Sequence, residues 1–214
     1  MEKIQENTKT IQRSRVVGLK DICVAAVTTN TDIAYAAETP TRLAKAIAAT
    51  IKETFEVEYV YSDDAVEDTV ETFTKAEVEL EVNRLTPGDY ALVFDSLYEG
   101  GYLVKTESDR AKEVALGFRA KQNNGKYEFV WYYAGKADHP EESYETIKDK
   151  KTAQTQKISF TFYARQKEET INGEKKRAYA IKVDESQLTE SDTSAAKAIG
   201  EWFKEVQERN TEVA

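Results

Sequence analysis

The stretch EVALGFRAKQNNGKYEFVWYYAGKADHPEE, residues 113–142, holds two alternating apolar runs on either side of a turn. Apolar side chains recur at every second position from Val114 to Ala120 and again from Tyr127 to Tyr133, the period of a β-strand. The Asn-Asn-Gly at 123–125 is a strong signal for a tight turn between strands. The stretch therefore predicts an antiparallel hairpin with an aromatic second strand.

Further strands are predicted on both sides of this hairpin. The clearest runs from Ala76 to Val82, where apolar residues alternate with glutamates. Others are expected at 21–27 and 158–164, and an Asn172-Gly173 turn leads into a strand at 179–183 that closes a second hairpin. The stretch from Leu43 to Tyr61 fits a helix or a strand by its period alone.

Two helices interrupt the β-pattern. Thr86 is a candidate cap, Pro87 suits a first helical position, and an apolar stripe from Tyr90 to Leu97 precedes Gly100 and Gly101. A second helix is predicted in SDTSAAKAIGEWFKEVQ, residues 191–207, with Asp192 as its cap and Ala195, Ile199, Trp202, Phe203 and Val206 on one face.

These elements predict a mainly β protein, a sandwich or open barrel of two antiparallel sheets with a flanking α-helix and a C-terminal helix. We expect a flexible N-terminal arm at 1–15, one β domain at 16–188 and a C-terminal helical segment at 189–214. Neither a secretory signal nor an apolar run long enough for a membrane helix is present in the sequence, so no membrane insertion is expected.

The charge of the chain is concentrated in one segment. The net charge is −9, and residues 53–81 contain eleven acidic residues against the single basic Lys75. Such a surface repels phosphates, which argues against a nucleic-acid-binding cleft. The acidic segment SDDAVEDTVETFTK, residues 62–75, predicts an exposed loop or a hairpin extension. We expect its part around Asp63 to Glu71, like the N-terminal arm, to be mobile in the monomer and to become ordered on assembly.

The sequence contains little that points to catalysis. His139 is the one histidine, which excludes multi-histidine zinc sites, and Cys23 lies in an apolar run typical of a buried thiol. The acidic residues at 63–68 lack calcium-loop spacing, and no dinucleotide or phosphate-binding glycine motif occurs. We therefore expect no catalytic residue, no metal and no cofactor; an enzyme built on paired carboxylates is the alternative.

The aromatic run has two interpretations. Its alternating sidedness favours the interior of a sheet. A platform of Trp131, Tyr132 and Tyr133 for sugar stacking is the alternative, in a non-viral β-sandwich module that binds carbohydrate.

The order of motifs resembles the major tail protein, or tail tube protein, family of long-tailed, non-contractile phages and prophages of Gram-positive bacteria. The similarity lies in VALGF (114–118), NGK (124–126), VWY (130–132), GK (135–136), PEE (140–142), Thr146 and QTQKI (154–158), followed by an arginine. It extends more faintly from about Val16 to Val206. His139 is outside the matched positions.

The resemblance implies a phage tail tube fold and a structural virion protein. Subunits of this family form hexameric rings that stack into a tube around the tape measure protein, adjoin tail completion and distal tail proteins, and conduct DNA into the host. It further implies assembly in the bacterial cytoplasm, and a strand for Leu43 to Tyr61. The candidate lumen or ring-stacking residues are Asp63, Asp64, Glu67, Asp68, Glu71, Glu77, Glu79 and Glu81.

Overall fold

A computed structural model describes residues 14–62, 65–144, 146 and 155–209. This part of the chain contains thirteen strands and two helices. The strands are β1 (Val16–Asn30), β2 (Tyr35–Ala37), β3 (Thr41–Arg42), β4 (Ala46–Ser62), β5 (Ala65–Val82), β6 (Leu97–Glu99), β7 (Tyr102–Val104), β8 (Val114–Gln122), β9 (Tyr127–Ala137), β10 (Gln156–Tyr163), β11 (Glu168–Ile171), β12 (Glu174–Arg177) and β13 (Ala180–Asp184). The helices are α1 (Pro87–Val93) and α2 (Thr193–Glu201).

Nine strands form one antiparallel sheet in the order β2-β1-β8-β9-β10-β5-β4, with β3 also pairing with β1 and β13 with β9. Two small hairpins, β6–β7 and β11–β12, lie outside it. The predicted mainly β, antiparallel class is confirmed, as is the hairpin centred on 123–125. The strand implied for Leu43 to Tyr61 is confirmed as β4, although it begins only at Ala46. The sequence predicted two separate sheets, but hydrogen bonds join these strands into a single sheet.

The sheet curves so that its two ends approach each other. Strand β3 pairs with β1 near one end, and the Leu43 amide donates to the Ile22 carbonyl at 3.0 Å. Strand β4, at the opposite end of the sheet, begins only three residues later. This short connection brings the ends together and gives the sheet the form of an open barrel.

The inner face of the curved sheet encloses the main core. Side chains from β5, β8, β9 and β10 converge there, α1 adds Tyr90 and Val93, and Phe94 joins them directly after the helix. Helix α1 begins with a capping box, in which Thr86 Oγ1 accepts from the Asp89 amide at 3.3 Å and Asp89 Oδ2 accepts from the Thr86 amide at 2.7 Å. The predicted cap at Thr86 is confirmed.

The outer face of the sheet at β8 and β9 is covered by residues 202–208, here called the C-terminal strap. Trp131 Nε1 donates to the Trp202 carbonyl at 3.0 Å, and the Tyr133 hydroxyl donates to the Gln207 carbonyl at 3.1 Å. A second core forms beneath the strap and α2, around Trp131, Trp202 and Phe129. Residues 129–135 of β9 are consequently buried on both faces.

The first helix is shorter than predicted. It ends at Val93 because Phe94 is extended, its ring buried in the core and its backbone bridged to Ala111. Leu97 belongs to β6 instead, and Gly100 and Gly101, with φ of +57° and +84°, form the turn of the β6–β7 hairpin. Glycine adopts positive φ without steric cost, so a pair of glycines suits this turn.

Three further predictions near the C-terminus are wrong in detail. The Asn172-Gly173 turn joins β11 to β12, and β13 pairs with β9 rather than closing a hairpin with the strand at 158–164. Asp192 makes no side-chain cap, because its carboxylate accepts from the Thr189 amide and hydroxyl. Helix α2 ends at Glu201, since the following residues turn into the strap.

Gly117 on β8 provides a test of how tightly the second core is packed. A β-carbon at this position would lie 2.6 Å from ring atoms of the fully buried Trp131. We expect Gly117→Ala to lower the free energy of unfolding by about 2 kcal/mol, because Trp131 has no room to move.

The matched control is Gly18→Ala on β1, where a β-carbon meets no atom within 4 Å. Its effect should stay below about 0.5 kcal/mol in urea denaturation. Equal costs for the two substitutions would contradict this packing.

Candidate assembly surface

The β4–β5 hairpin is much longer than the strand that supports it. Strand β10 pairs with β5 only from Ala76 to Val82, whereas β5 begins at Ala65. The hairpin residues 55–73 therefore continue beyond the supported part of the sheet, and we call them the arm. The predicted hairpin extension is confirmed, and the alternative of a loop through the whole acidic segment is wrong.

The face of the hairpin that is core in the body becomes exposed in the arm. Within the body this face carries Val78 opposite Ile51 and Ala76 opposite Glu53. In the arm it continues through Phe55, Val57 and Tyr59, which are 45%, 41% and 57% exposed. We call these three residues the apolar strip. An exposed row of large apolar side chains is typical of a surface that contacts another molecule.

The arm also contains most of the net charge. Residues 55–73 include seven acidic residues and no basic residue, in a chain whose net charge is −9. The opposite face of the arm pairs Glu56 with Thr72 and Glu58 with Val70. The arm thus presents an apolar strip in a strongly acidic setting.

Glu77, Glu79 and Glu81 lie on the outward face of β5, as their alternation with buried residues predicted. Each has a partner: Lys75 Nζ contacts Glu77 at 2.8 Å, Lys157 Nζ contacts Glu79 at 2.7 Å, and Thr155 Oγ1 donates to Glu81 at 2.7 Å. Lys52 lies on β4 directly opposite Glu77. Three lysines therefore balance three glutamates, so this face is less acidic than the sequence suggested.

Three of the remaining candidate acidic residues, Glu67, Asp68 and Glu71, belong to the arm. Glu71 is exposed and paired across the hairpin with Val57, and Glu67 and Asp68 are in β5. Asp63 and Asp64 lie outside the described residues. The six described candidates therefore follow one hairpin outward from the body, and they do not converge on a pocket.

Strand β4 is a long sheet edge. It runs for 17 residues and, in the described part of the chain, pairs with β5 on one side only. Exposed edges of this length are templates for pairing with a further strand.

The PEE loop is fixed to α1 by ionic and hydrogen-bond contacts. The Glu142 carboxylate accepts from Lys105 Nζ at 2.6 Å, from the Tyr90 hydroxyl and from the Tyr144 hydroxyl at 3.1 Å. The hydrogen bond from Lys105, followed by that from Tyr90, lowers the pKa of Glu142 to about 2. Burial, with Glu142 beside it, raises the pKa of Tyr90 to about 12.

His139 is exposed in the same loop and its ring stacks on Phe94, with 4.4 Å between ring centroids. This contact extends the aromatic packing of α1. No group of three or more His, Cys, Asp or Glu side chains within 14–62, 65–144, 146 and 155–209 is arranged to hold a metal ion.

Trp131, Tyr132 and Tyr133 are at most 1% exposed. A sugar ring has no access to side chains buried to this extent, so the proposed carbohydrate platform is wrong for these three residues. Sequence reasoning could place them in a sheet, but only the fold shows that the C-terminal strap covers their second face.

Arg165, the arginine after the QTQKI strand, is fully buried and has a role that the sequence did not reveal. Its guanidinium lies over the rings of Tyr133 and Tyr35, at 4.1 and 5.0 Å from their centroids, and pairs with Glu169 and Glu208. Burying an arginine requires such compensation. The pair with Glu208 fastens the end of the C-terminal strap to the body.

A shallow groove of about 650 Å³ lies between α1 and the β1–β3 region, lined in part by Glu38, Asp89 and Lys112. The Asp89 carboxylate there is engaged in the cap of α1. Neither α1 nor α2 is long and apolar enough to span a lipid bilayer, and the described residues form no other helix that could.

No protein-family model matches the chain, and no curated protein matches its sequence.

The low pKa of Glu142 leads to a pH-dependent prediction. Since the folded-state pKa lies below the usual 4.5, the carboxylate stabilises the fold above about pH 4.5 and loses this contribution as the pH falls towards 2. We expect Glu142→Gln to cost about 1 kcal/mol at pH 7, because partial exposure weakens the ion pair.

Urea denaturation at pH 7, 5 and 3 measures this effect. The difference between wild type and variant should shrink towards pH 3. Tyr90→Phe, which removes one donor and keeps Lys105, serves as the control and should show a weaker pH dependence. A Glu142→Gln difference that stays constant with pH would refute the role of the charge.

Proposed function

We propose that this chain is a self-assembling structural subunit of a tube, of the major tail tube kind that the sequence resemblance implies. The observation that carries the proposal is the β4–β5 hairpin. It combines a 17-residue sheet edge with an arm whose core face is exposed. In a monomer both features favour aggregation, whereas in an assembly a neighbouring copy can cover them.

The edge of β4 supports ring formation. A strand that pairs on one side can accept a strand from a neighbouring copy on the other, and repetition of this contact around a rotation axis closes a ring. Six copies would join their sheets into one continuous inner barrel. The open edge of β4 would provide the backbone N–H and C=O groups that form this contact.

The arm supports stacking of one ring on the next. Its apolar strip provides area that gains free energy when covered. Its acidic side chains disfavour contact between two arms, because like charges are brought together, and favour a less acidic surface on another copy. The arm therefore suits contact with the body of a neighbouring ring.

The charge distribution also suits the passage of DNA. Affinity for DNA depends mainly on Lys and Arg at phosphates. On the outward face of β5 lysines balance the glutamates, and every charged residue of the arm is acidic. Neither surface would bind a phosphate backbone tightly. The proposal includes the tape measure protein as the content of the tube, tail completion and distal tail proteins at its ends, and the virion tail as its location.

A charge placed on the apolar strip tests the proposal. Val57→Lys should abolish assembly while leaving the subunit folded, because Val57 is 41% exposed and outside the core. The matched control is Val70→Lys, on the opposite face of the arm and 45% exposed. It introduces the same charge and should assemble normally.

Sedimentation velocity of both variants and wild type, at matched concentrations, measures the outcome, with circular dichroism to verify folding. Assembly of Val57→Lys to the wild-type extent would refute a role for the apolar strip. Loss of assembly in both variants would show that charge alone, rather than this face, is responsible.

A further inference from the structure

The supporting sheet divides where the arm begins. Strand β10 pairs with Ala134 to Ala137 of β9, and β13 pairs with Glu128 to Tyr132 of the same strand. Both therefore lie along one side of β9, one after the other. In the described residues no strand is paired with β5 on that side beyond Ala76, so the arm and β13 form the two branches of a fork.

One aromatic contact spans this fork. The ring of Phe73, at the base of the arm, stacks on the ring of Tyr179, with 3.8 Å between centroids and 7° between ring planes. Phe55 adds an edge contact to Phe73 at 5.6 Å. Tyr179 is held to the body, because its carbonyl accepts from the Tyr133 amide at 3.0 Å.

A carboxylate on the neighbouring strand orients the stacked tyrosine. Glu53 occupies a core-facing position of β4 opposite Ala76, the last residue of β5 that β10 supports. It accepts from the Tyr179 hydroxyl and from the buried Tyr132 hydroxyl, each at 3.2 Å. Lys182 Nζ lies 4.0 Å from the same carboxylate. The Tyr179 ring is thus fixed from its hydroxyl end.

The backbone of the hairpin is irregular at the same level. Thr54 pairs with Lys75, but the next residue, Phe55, pairs with Phe73, so Thr74 is an additional residue in β5. A bulge of this kind bends and twists the strand pair locally. The arm can change direction here while the pairs on either side of the bulge are kept.

We propose that Phe73 and Tyr179 form a latch that sets the direction of the arm, with the bulge at Thr74 as its pivot. In the described residues β13 is paired with β9 and not with a strand of the arm, so this stacking contact sets the angle between the arm and β13. Opening the latch frees the arm to turn towards a neighbouring molecule. The latch is a property of the single subunit and does not depend on the proposed function.

Distance measurement by pulsed electron spin resonance tests the latch. One spin label is placed at Thr72→Cys, on the arm face opposite Phe73, and one at Lys136→Cys on the exposed side of β9, in a Cys23→Ala background. Labelled chains are diluted in unlabelled ones, so that only distances within one subunit are recorded. The latched protein should give one narrow distance distribution.

Tyr179→Ala removes the ring from the body side and should broaden the distribution at least twofold. Phe73→Ala removes it from the arm side, leaves every residue of the body unchanged, and should have the same effect. Tyr179→Phe keeps the ring without the bond to Glu53 and should broaden the distribution much less.

If the distance distributions of both alanine variants were as narrow as that of the wild type, the latch would be refuted. A Tyr179→Phe variant as broad as Tyr179→Ala would also refute it, since the hydroxyl bond rather than the stack would then hold the arm. If Tyr179→Ala fails to fold, Phe73→Ala decides alone, because its side chain belongs to the arm.

Discussion

The difference in length between β5 and β10 is the constraint on which the rest of the structure depends. Strand β5 has 18 residues and β10 has eight, so only part of the hairpin rests on the body. Where β10 ends, the core face of the hairpin loses its cover, and Phe55, Val57 and Tyr59 become exposed. The apolar strip and the fork beside Tyr179 both follow from this mismatch, and the edge of β4 runs along the same hairpin.

Much of the fold could be predicted from local patterns. The alternation from Ala76 to Val82 and the turn at 123–125 predicted their strands because each signal lies within a few residues. The pairing of β13 with β9 could not be predicted, since both edges of a hairpin look alike in sequence. Helix α1 ends early because the Phe94 ring belongs in the core, a tertiary contact that outweighs the helical stripe reaching to Leu97.

The candidate surface was predictable to a similar degree. The sequence showed that Glu77, Glu79 and Glu81 share a wet face, but Lys157 lies 78 residues from Glu79 and only the β5–β10 register brings them together. The sequence around Arg165 did not indicate that the side chain is buried, because its partners Tyr35, Tyr133 and Glu208 come from three distant segments. The double burial of Trp131 likewise depends on the C-terminal strap.

We propose that a hairpin too long for its own sheet is completed by neighbouring copies of the chain. Assembly would cover both the edge of β4 and the apolar strip, which a single subunit leaves exposed. Negative-stain electron microscopy of the concentrated protein tests this claim most directly. Rings or tubes of six-fold symmetry are the predicted result, and a field of separate monomers at high concentration would contradict it.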